Sequence, residues 1–249
     1  ARNVPATPWA RAVAGTFLSR RRTQMRTIPF TPFDPLRPVR VYDGDLPHWR
    51  QDGCTYYVTF RLADALPPAV LRAWREARDG WLRRQGVRSK HDRNWRQGYA
   101  RLDEKQRRAF ERMSAGALDR HLDEGHGTCR LRSRACAAVV SDALLRFDQV
   151  RCDMGDFVVM ANHVHARLRP WPGHALECLL QSVKGFSARR VNAATGQSGR
   201  VWQSESYDHI VRGSEDLERI RRYIAENPAK AGVTVPAGAQ RTVHWGCGG

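Results

Sequence analysis

Met160-Ala161-Asn162-His163-Val164-His165-Ala166-Arg167-Leu168 closes an apolar run with two histidines one residue apart. Side chains two apart on a strand share a face, roughly 7 Å from one another along the backbone, so His163 and His165 can converge on one metal ion. The same spacing also arises on a solvated sheet face that binds nothing. The histidine pair alone does not decide between these readings, so the neighbouring elements must.

Arg151 to Val159 leads into this strand through a tight turn near Ala161-Asn162, which predicts two antiparallel strands. Ahead of them Ala137, Val140, Leu144 and Phe147 recur at helical spacing. Behind them a helix is expected from about Ala175 to Asn192. Leu176, Leu179, Leu180, Val183 and Phe186 point inward there, while Lys184, Arg189 and Arg190 point elsewhere. Gly196 and Gly199 end that helix before a strand-like segment, Val201 to Val211. Thr55 to Leu62, rich in aromatic and β-branched residues, supplies the first strand. The order β-α-β-β-α-β predicts an α+β fold with a ferredoxin-like antiparallel sheet, followed by one more helix.

Between the first strand and the first of these helices the spacing turns helical. Val70, Trp74, Ala77 and Trp81 mark one face, and Phe110, Met113 and Ala117 another, so a helical insertion is expected over about 66–127. Its tryptophans are expected to pack on their own domain. Residues 1–33 hold six arginines and no acid. Residues 1–45 are therefore expected to be a basic, disordered arm, with the folded domain over 46–235 and a tail over 236–249.

The last predicted helix begins near Ser214, read as its N-cap. Glu215 and Asp216 stand where the helix dipole favours acids, and Pro228 makes Asn227 the expected last helical residue. Leu217, Ile220 and Ile224 form its apolar stripe. Tyr223 lies at the edge of that stripe with Asn227 one turn on, so a phenol and an amide oxygen face the same way. Most helical tyrosines are simply boundary aromatics with a hydroxyl in water.

Composition limits the partners. Forty-two Lys and Arg against 25 Asp and Glu leave a net charge of +17, with 41% apolar residues for a core. Such an excess calls for a polyanion. Arginine dominates it, and arginine forks suit phosphate, so nucleic acid outranks a membrane surface, particularly as no apolar stretch is long enough to span a bilayer. The six cysteines, Cys54, Cys129, Cys136, Cys152, Cys178 and Cys247, show neither Cys-x-x-Cys nor zinc-ribbon spacing and read as reduced thiols of a cytoplasmic protein.

Asn162-His163-Val164-His165, then Val201-Trp202-Gln203 and Tyr207-Asp208-His209-Ile210-Val211-Arg212, then Tyr223-Ile224-Ala225-Glu226-Asn227-Pro228-Ala229-Lys230-Ala231-Gly232 resemble the HUH endonucleases. Within them the chain is most similar to the REP-associated tyrosine transposases, in the same order over about residues 46 to 235. Where Ala161, Ala225 and Ala229 stand, the family often has proline, histidine and a bulkier aliphatic. None of these differences removes a reacting group.

The resemblance implies a single-tyrosine DNA transposase acting on single-stranded DNA beside a hairpin of the repetitive extragenic palindrome kind. Tyr223 would be the nucleophile, on a C-terminal catalytic helix, giving a 5′-phosphotyrosine. The residues themselves suggest a divalent ion held by His163 and His165, with Asn227 or Glu226 as third ligand. Magnesium or manganese is expected and zinc is the competitor. Tyr207 is the rival nucleophile. Lys184, Arg189, Arg190, Trp202, Tyr207, His209, Arg212 and Lys230 are candidate DNA contacts, Trp202, Tyr207 and Trp49 as platforms for unpaired bases. Arg219 would steady the developing phenolate, and Asp208 would support the strand. Binding should weaken steeply with salt. A monomer and a homodimer both remain open, and so does a second function: a domesticated protein that holds structured nucleic acid on the same sheet and cuts nothing.

Overall fold

The computed structural model describes residues 27–42, 48–87, 98–99 and 101–246. Along the chain these form β1 (Thr27–Pro29), β2 (Arg40–Tyr42), β3 (His48–Arg50), β4 (Tyr56–Arg61), α1 (Pro68–Arg84), α2 (Glu104–Asp123) and a 3-10 turn at Arg130–Arg132. There follow α3 (Arg134–Leu145), β5 (Cys152–Val159), β6 (His163–Pro170), α4 (Leu176–Thr195), β7 (Tyr207–Ile210), α5 (Ser214–Lys230), β8 (Gln240–Arg241) and β9 (His244–Gly246). The main sheet has the order β7-β4-β6-β5-β8. All its neighbouring strands are antiparallel. Without β8, the series β4, α3, β5, β6, α4, β7 is the expected ferredoxin-like order, and the class is α+β.

Strand alternation gives this sheet two different faces. Tyr56, Val58 and Phe60 of β4 join Val164, Ala166 and Leu168 of β6 in one apolar core, under Ala137, Val140 and Leu144 of α3 and Leu176, Leu179, Leu180 and Val183 of α4. Each Val, Leu or Phe side chain among them contributes about 1.5–3 kcal/mol when fully buried. Phe186 lies at the margin, only partly buried. Met154 and Phe157 both enter this core although three residues apart, because β5 shifts register between them. That bulge turns Asp156 to the other face. There Tyr57, Val158, Met160 and Val211 pack against Leu217, Ile220 and Ile224 of α5.

The insertion between β4 and α3 contributes to both its own core and the main one. Trp74, Leu118 and Leu122 join the main core, whereas Leu82, Val87, Tyr99, Leu102 and Phe110 form a separate cluster. A reciprocal capping box between Asp103 and Gln106 opens α2.

Both ends of the described chain differ from expectation. Ile28 is fully buried and β1 pairs in parallel with β9. Thr55 N–H donates to Thr31 O at 2.8 Å and Phe33 N–H to Val211 O at 2.9 Å. Residues 27–42 are thus built into the fold, which corrects the disordered arm over that part. The rest of that segment, residues 1–26 and 43–45, lies outside the described residues. The expected tail also supplies structure, since β8 extends the main sheet beside β5. No described helix is long and apolar enough to cross a membrane.

Helix α5 is bounded differently from the sequence reading. Gly213, in extended backbone, is its N-cap, and Ser214 is already helical. No side chain caps the helix; Asp216, in its first turn, instead accepts the N–H of Arg212 just ahead of it at 3.0 Å. Nor does the helix stop at Asn227: it runs through the buried Pro228 to Lys230. Proline removes one helical hydrogen bond, but the last carbonyls are satisfied. Ala231, Gly232 and Val233 N–H groups bond to Asn227, Ala229 and Pro228 carbonyls, and Gly232 turns the chain with a left-handed φ of 62°.

Candidate active site

His163 and His165 lie on the α5 side of β6, both fully buried, with their Nε2 atoms 2.9 Å apart. What each ring does at its other nitrogen fixes what Nε2 can offer. Asn162 donates its amide Nδ2 to His126 O at 3.0 Å, so its Oδ1, 2.8 Å from His163 Nδ1, is an acceptor and the proton is on His163 Nδ1. His165 Nδ1 is 2.8 Å from Thr59 Oγ1 and 2.7 Å from Tyr57 Oη, and the Thr59 hydroxyl donates to Tyr57 at 3.2 Å. The Thr59 oxygen can therefore accept the proton of His165 Nδ1. With the His165 proton on Nδ1 both Nε2 lone pairs face each other, an arrangement that repels unless a proton or a cation lies between them.

Burial draws the His163 imidazole down to about 3, with the Arg61 guanidinium acting in the same direction. Burial, and His163 beside it, also holds His165 well below its ordinary value. Neutral imidazoles are the form that ligates. Donors about 2.0–2.1 Å from one ion and roughly at right angles stand about 3 Å apart, which is the spacing observed. The paired rings fit a divalent ion.

Tyr223 of α5 meets this pair. Its ring stands edge-on to His165, centroids 5.1 Å apart, and edge-on to Tyr57 at 6.3 Å. Lys230 Nζ lies 5.6 Å from the centre of the Tyr223 ring. An open depression of about 440 Å³ reaches Tyr223 between Glu215, Glu218, Arg219, Arg222 and Lys230. Asn227 follows one turn later, fully buried, and neither atom of its side-chain amide has a hydrogen-bond partner. Buried amides without partners are costly, so an amide oxygen held this way suits a cation. Glu226, the other candidate third ligand, is exposed and paired with Lys230 at 3.0 Å, turned from the buried side of the helix.

A buried charge cluster fixes α5 against the sheet. Asp156, at the β5 bulge, pairs with Arg167 of β6 and stands 3.5 Å from Arg221 Nε of α5. The other oxygen of Asp156 accepts Val243 N–H at 2.7 Å, and Arg221 donates to Val243 O at 3.1 Å. Burial draws the Arg167 guanidinium down to about 10 although Asp156 works against it. Three strands or helices and the segment before β9 therefore share one carboxylate.

The remaining expected site residues divide. Tyr207 is half-buried on the same face, edge-on to Tyr57 at 6.2 Å, one aromatic layer away from His165. His209 Nε2 lies 2.8 Å from Asp216, and the Arg219 guanidinium pairs with the same carboxylate rather than reaching the phenol. Arg212 is half-buried and its backbone N–H serves Asp216. Trp202 is not a stacking platform: it is buried in the main core, edge-on to Phe60 at 4.9 Å, with Nε1 donating to Ser187 at 3.0 Å. Trp49 is half-buried against Phe33. Lys184 donates to Ser204 O at 2.9 Å, and desolvation, with Arg200 and Arg61 nearby, draws it down to about 8. Arg189 and Arg190 are exposed. Asp208 supports the fold from the opposite face, where Arg50 and His48 bind it at 2.6 and 2.5 Å.

Tyr57, Thr59 and Arg61 escaped the sequence reading. Their signal was the polar half of the alternation in Thr55–Leu62, which gains meaning only once Thr59 is known to pair with His165 and Arg61 with His163.

Comparison with known proteins agrees with the sequence resemblance. Residues 141–227 match the family model described as IS200-like transposase. Among solved structures the chain is similar to a REP-associated tyrosine transposase bound to a REP hairpin, at 14% identity over 76% of either chain and a TM-score of 0.39. It is similar also to a Deinococcus radiodurans protein described as a transposase, at 15% identity over 70% of this chain and 89% of that one, with a TM-score of 0.29. No curated protein matches it. The matched stretch opens in α3, takes in the β5–β6 hairpin and β7, and closes on Asn227, so the imidazole pair and Tyr223 both lie within the part of the chain that is similar to the IS200-like transposases.

Proposed function

We propose that this protein is a transposase that nicks and rejoins single-stranded DNA through Tyr223. The observation that carries the reading is the 5.1 Å edge-on approach of the Tyr223 ring to His165, beside two neutral imidazoles whose Nε2 atoms face each other. His163, His165 and Asn227 would hold a divalent ion, magnesium or manganese. Such an ion supplies Lewis-acid polarisation of a phosphodiester.

The chain's own groups do the rest. A phenol titrates near pH 10, so its loss of a proton must be helped. Lys230, over the ring face, is the cation placed to favour a phenolate. The Tyr223 oxygen attacks phosphorus, the bond from phosphorus to the 3′ oxygen breaks, and that oxygen takes up a proton. The products are a 5′-phosphotyrosine and a free 3′-hydroxyl. Because the link keeps the energy of the broken ester, a 3′-hydroxyl can attack it in reverse without a nucleotide cofactor. Arg189 and Arg190, exposed on α4, are suited to phosphates of the strand, and a hairpin beside the cleaved segment is the substrate that the family resemblance suggests.

A labelled single-stranded hairpin oligonucleotide incubated with protein and manganese tests this. A covalent adduct should form, disappear in Tyr223→Phe and persist in Tyr207→Phe. An adduct that survives Tyr223→Phe removes Tyr223 as nucleophile, and binding with no adduct at all would favour the domesticated binding protein.

A further inference from the structure

A second group of metal-ligating side chains gathers away from the sheet, where the insertion turns back toward α3. His121 lies in the last turn of α2 and Glu124 is its C-cap. His126 follows Gly125, which holds a left-handed φ of 71°. One oxygen, Glu124 Oε2, stands 3.1 Å from His121 Nδ1 and 2.8 Å from His126 Nε2. All three donor atoms lie within 4.8 Å of one another. Donors about 2.0–2.2 Å from a tetrahedral ion are separated by roughly 3.3–3.6 Å, so small side-chain rotations would seat one here.

The backbone that presents them is already held. A Cβ added at Gly127 would come within 2.4 Å of Asp64 O, so the turn is pressed against the loop that follows β4. Thr128 N–H donates to Asp64 Oδ2 at 2.8 Å, and Asn162 Nδ2 donates to His126 O at 3.0 Å. Two imidazoles from separate segments thus meet one carboxylate on a fixed turn. Surface imidazole-carboxylate pairs need no ion, but here two rings converge on a single oxygen.

We infer that His121, Glu124 and His126 bind a divalent transition-metal ion of the zinc class, at a site separate from the imidazole pair on the sheet. Two nitrogens and one carboxylate oxygen suit zinc better than magnesium, and exposure of Glu124 leaves the fourth position to water. Occupancy would tie the end of α2 to the turn whose carbonyl holds Asn162. Asn162 in turn orients His163, so the insertion would brace the imidazole pair through two hydrogen bonds.

Equilibrium dialysis of the full chain against Zn(II), with bound metal counted, tests the site. The His121→Ala/His126→Ala protein should hold one equivalent fewer than wild type, and Tyr223→Phe should hold as many as wild type. Circular dichroism should be unchanged, because both substituted histidines are at least partly exposed. Equal zinc uptake by wild type and the double variant overturns the inference. The count does not depend on whether Tyr223 forms an adduct, so failure of one reading leaves the other standing.

Discussion

The two faces of the main sheet are made by the same three central strands and differ completely in chemistry. On the α3 and α4 side, Val58, Phe60, Val164, Ala166 and Phe157 belong to one apolar core. On the α5 side the alternate positions of β4 and β6 are Tyr57, Thr59, Arg61, His163, His165 and Arg167, nearly all buried and polar. Neither face is left to water. The first stabilises by area removed from solvent, while the second is costly to bury unless each group has a partner, so its hydrogen bonds and charges must be arranged with care. A strand that carries both can therefore hold a reactive set rigidly on one side because the other side supplies the stability.

Substitutions one residue apart on β4 separate these roles. Phe60→Ala, on the apolar side, removes a fully buried ring that packs edge-on against Trp202. It should lower unfolding free energy by about 3–5 kcal/mol in denaturant titration. Manganese affinity of the remaining folded protein should change little. A Phe60→Ala protein of wild-type stability would show that the two faces do not divide the work in this way.

Thr59→Val acts on the other side of the same strand and is expected to be the smaller change. It keeps the shape of the side chain and removes the oxygen 2.8 Å from His165 Nδ1. Stability should fall by about 1–3 kcal/mol, because the hydroxyl's two hydrogen bonds, to His165 and to Tyr57, are lost inside the protein. Affinity for manganese should fall on the order of 10-fold, the usual cost of losing a group that orients a ligand histidine. Isothermal titration with manganese reads the second number directly. Unaltered affinity would mean that Tyr57, 2.7 Å from the same nitrogen, orients the ring alone.

This division explains what could be read from the sequence. The histidine pair, the antiparallel β5–β6 hairpin, the stripes of α3 to α5 and the ferredoxin-like order all rest on periods of two or 3.6 residues, which are local properties. Tyr223 and Asn227 fell on one side of α5 for the same reason. What failed to show was pairing between distant segments. The stretch from Ile28 to Phe33 contains Pro29 and Pro32 and has no clear period, and β1 finds its partner in β9 at the other end of the chain. Trp202 looked like a base platform because an isolated aromatic carries no period; its partners Phe60 and Ser187 come from elsewhere in the fold. The charge cluster of Asp156, Arg167 and Arg221 depends on a bulge in β5 that no alternation pattern announces.

Asp216 offers the finest test of how the chemical face is assembled, because it locks the start of α5 to β7. Burial works to raise its carboxyl, but His209, the Arg212 N–H and Arg219 outweigh it and hold the group well below the ordinary carboxylate range. A carboxyl lowered on folding stabilises fully above its unfolded value, near pH 3.9, and loses that contribution as pH falls toward the folded value. Asp216→Asn keeps an acceptor for one N–H and discards the charge. Its thermal midpoint should lie a few degrees below wild type at pH 7, corresponding to about 1 kcal/mol for a helix-start contact. The two midpoints should converge as pH is lowered below about 4, where the carboxyl of the unfolded wild-type chain takes up a proton before that of the folded one. A gap that persists unchanged in acid would mean that Asp216 acts through its shape and hydrogen bonds alone, and that the charge facing His209 and Arg219 is incidental to where Tyr223 stands.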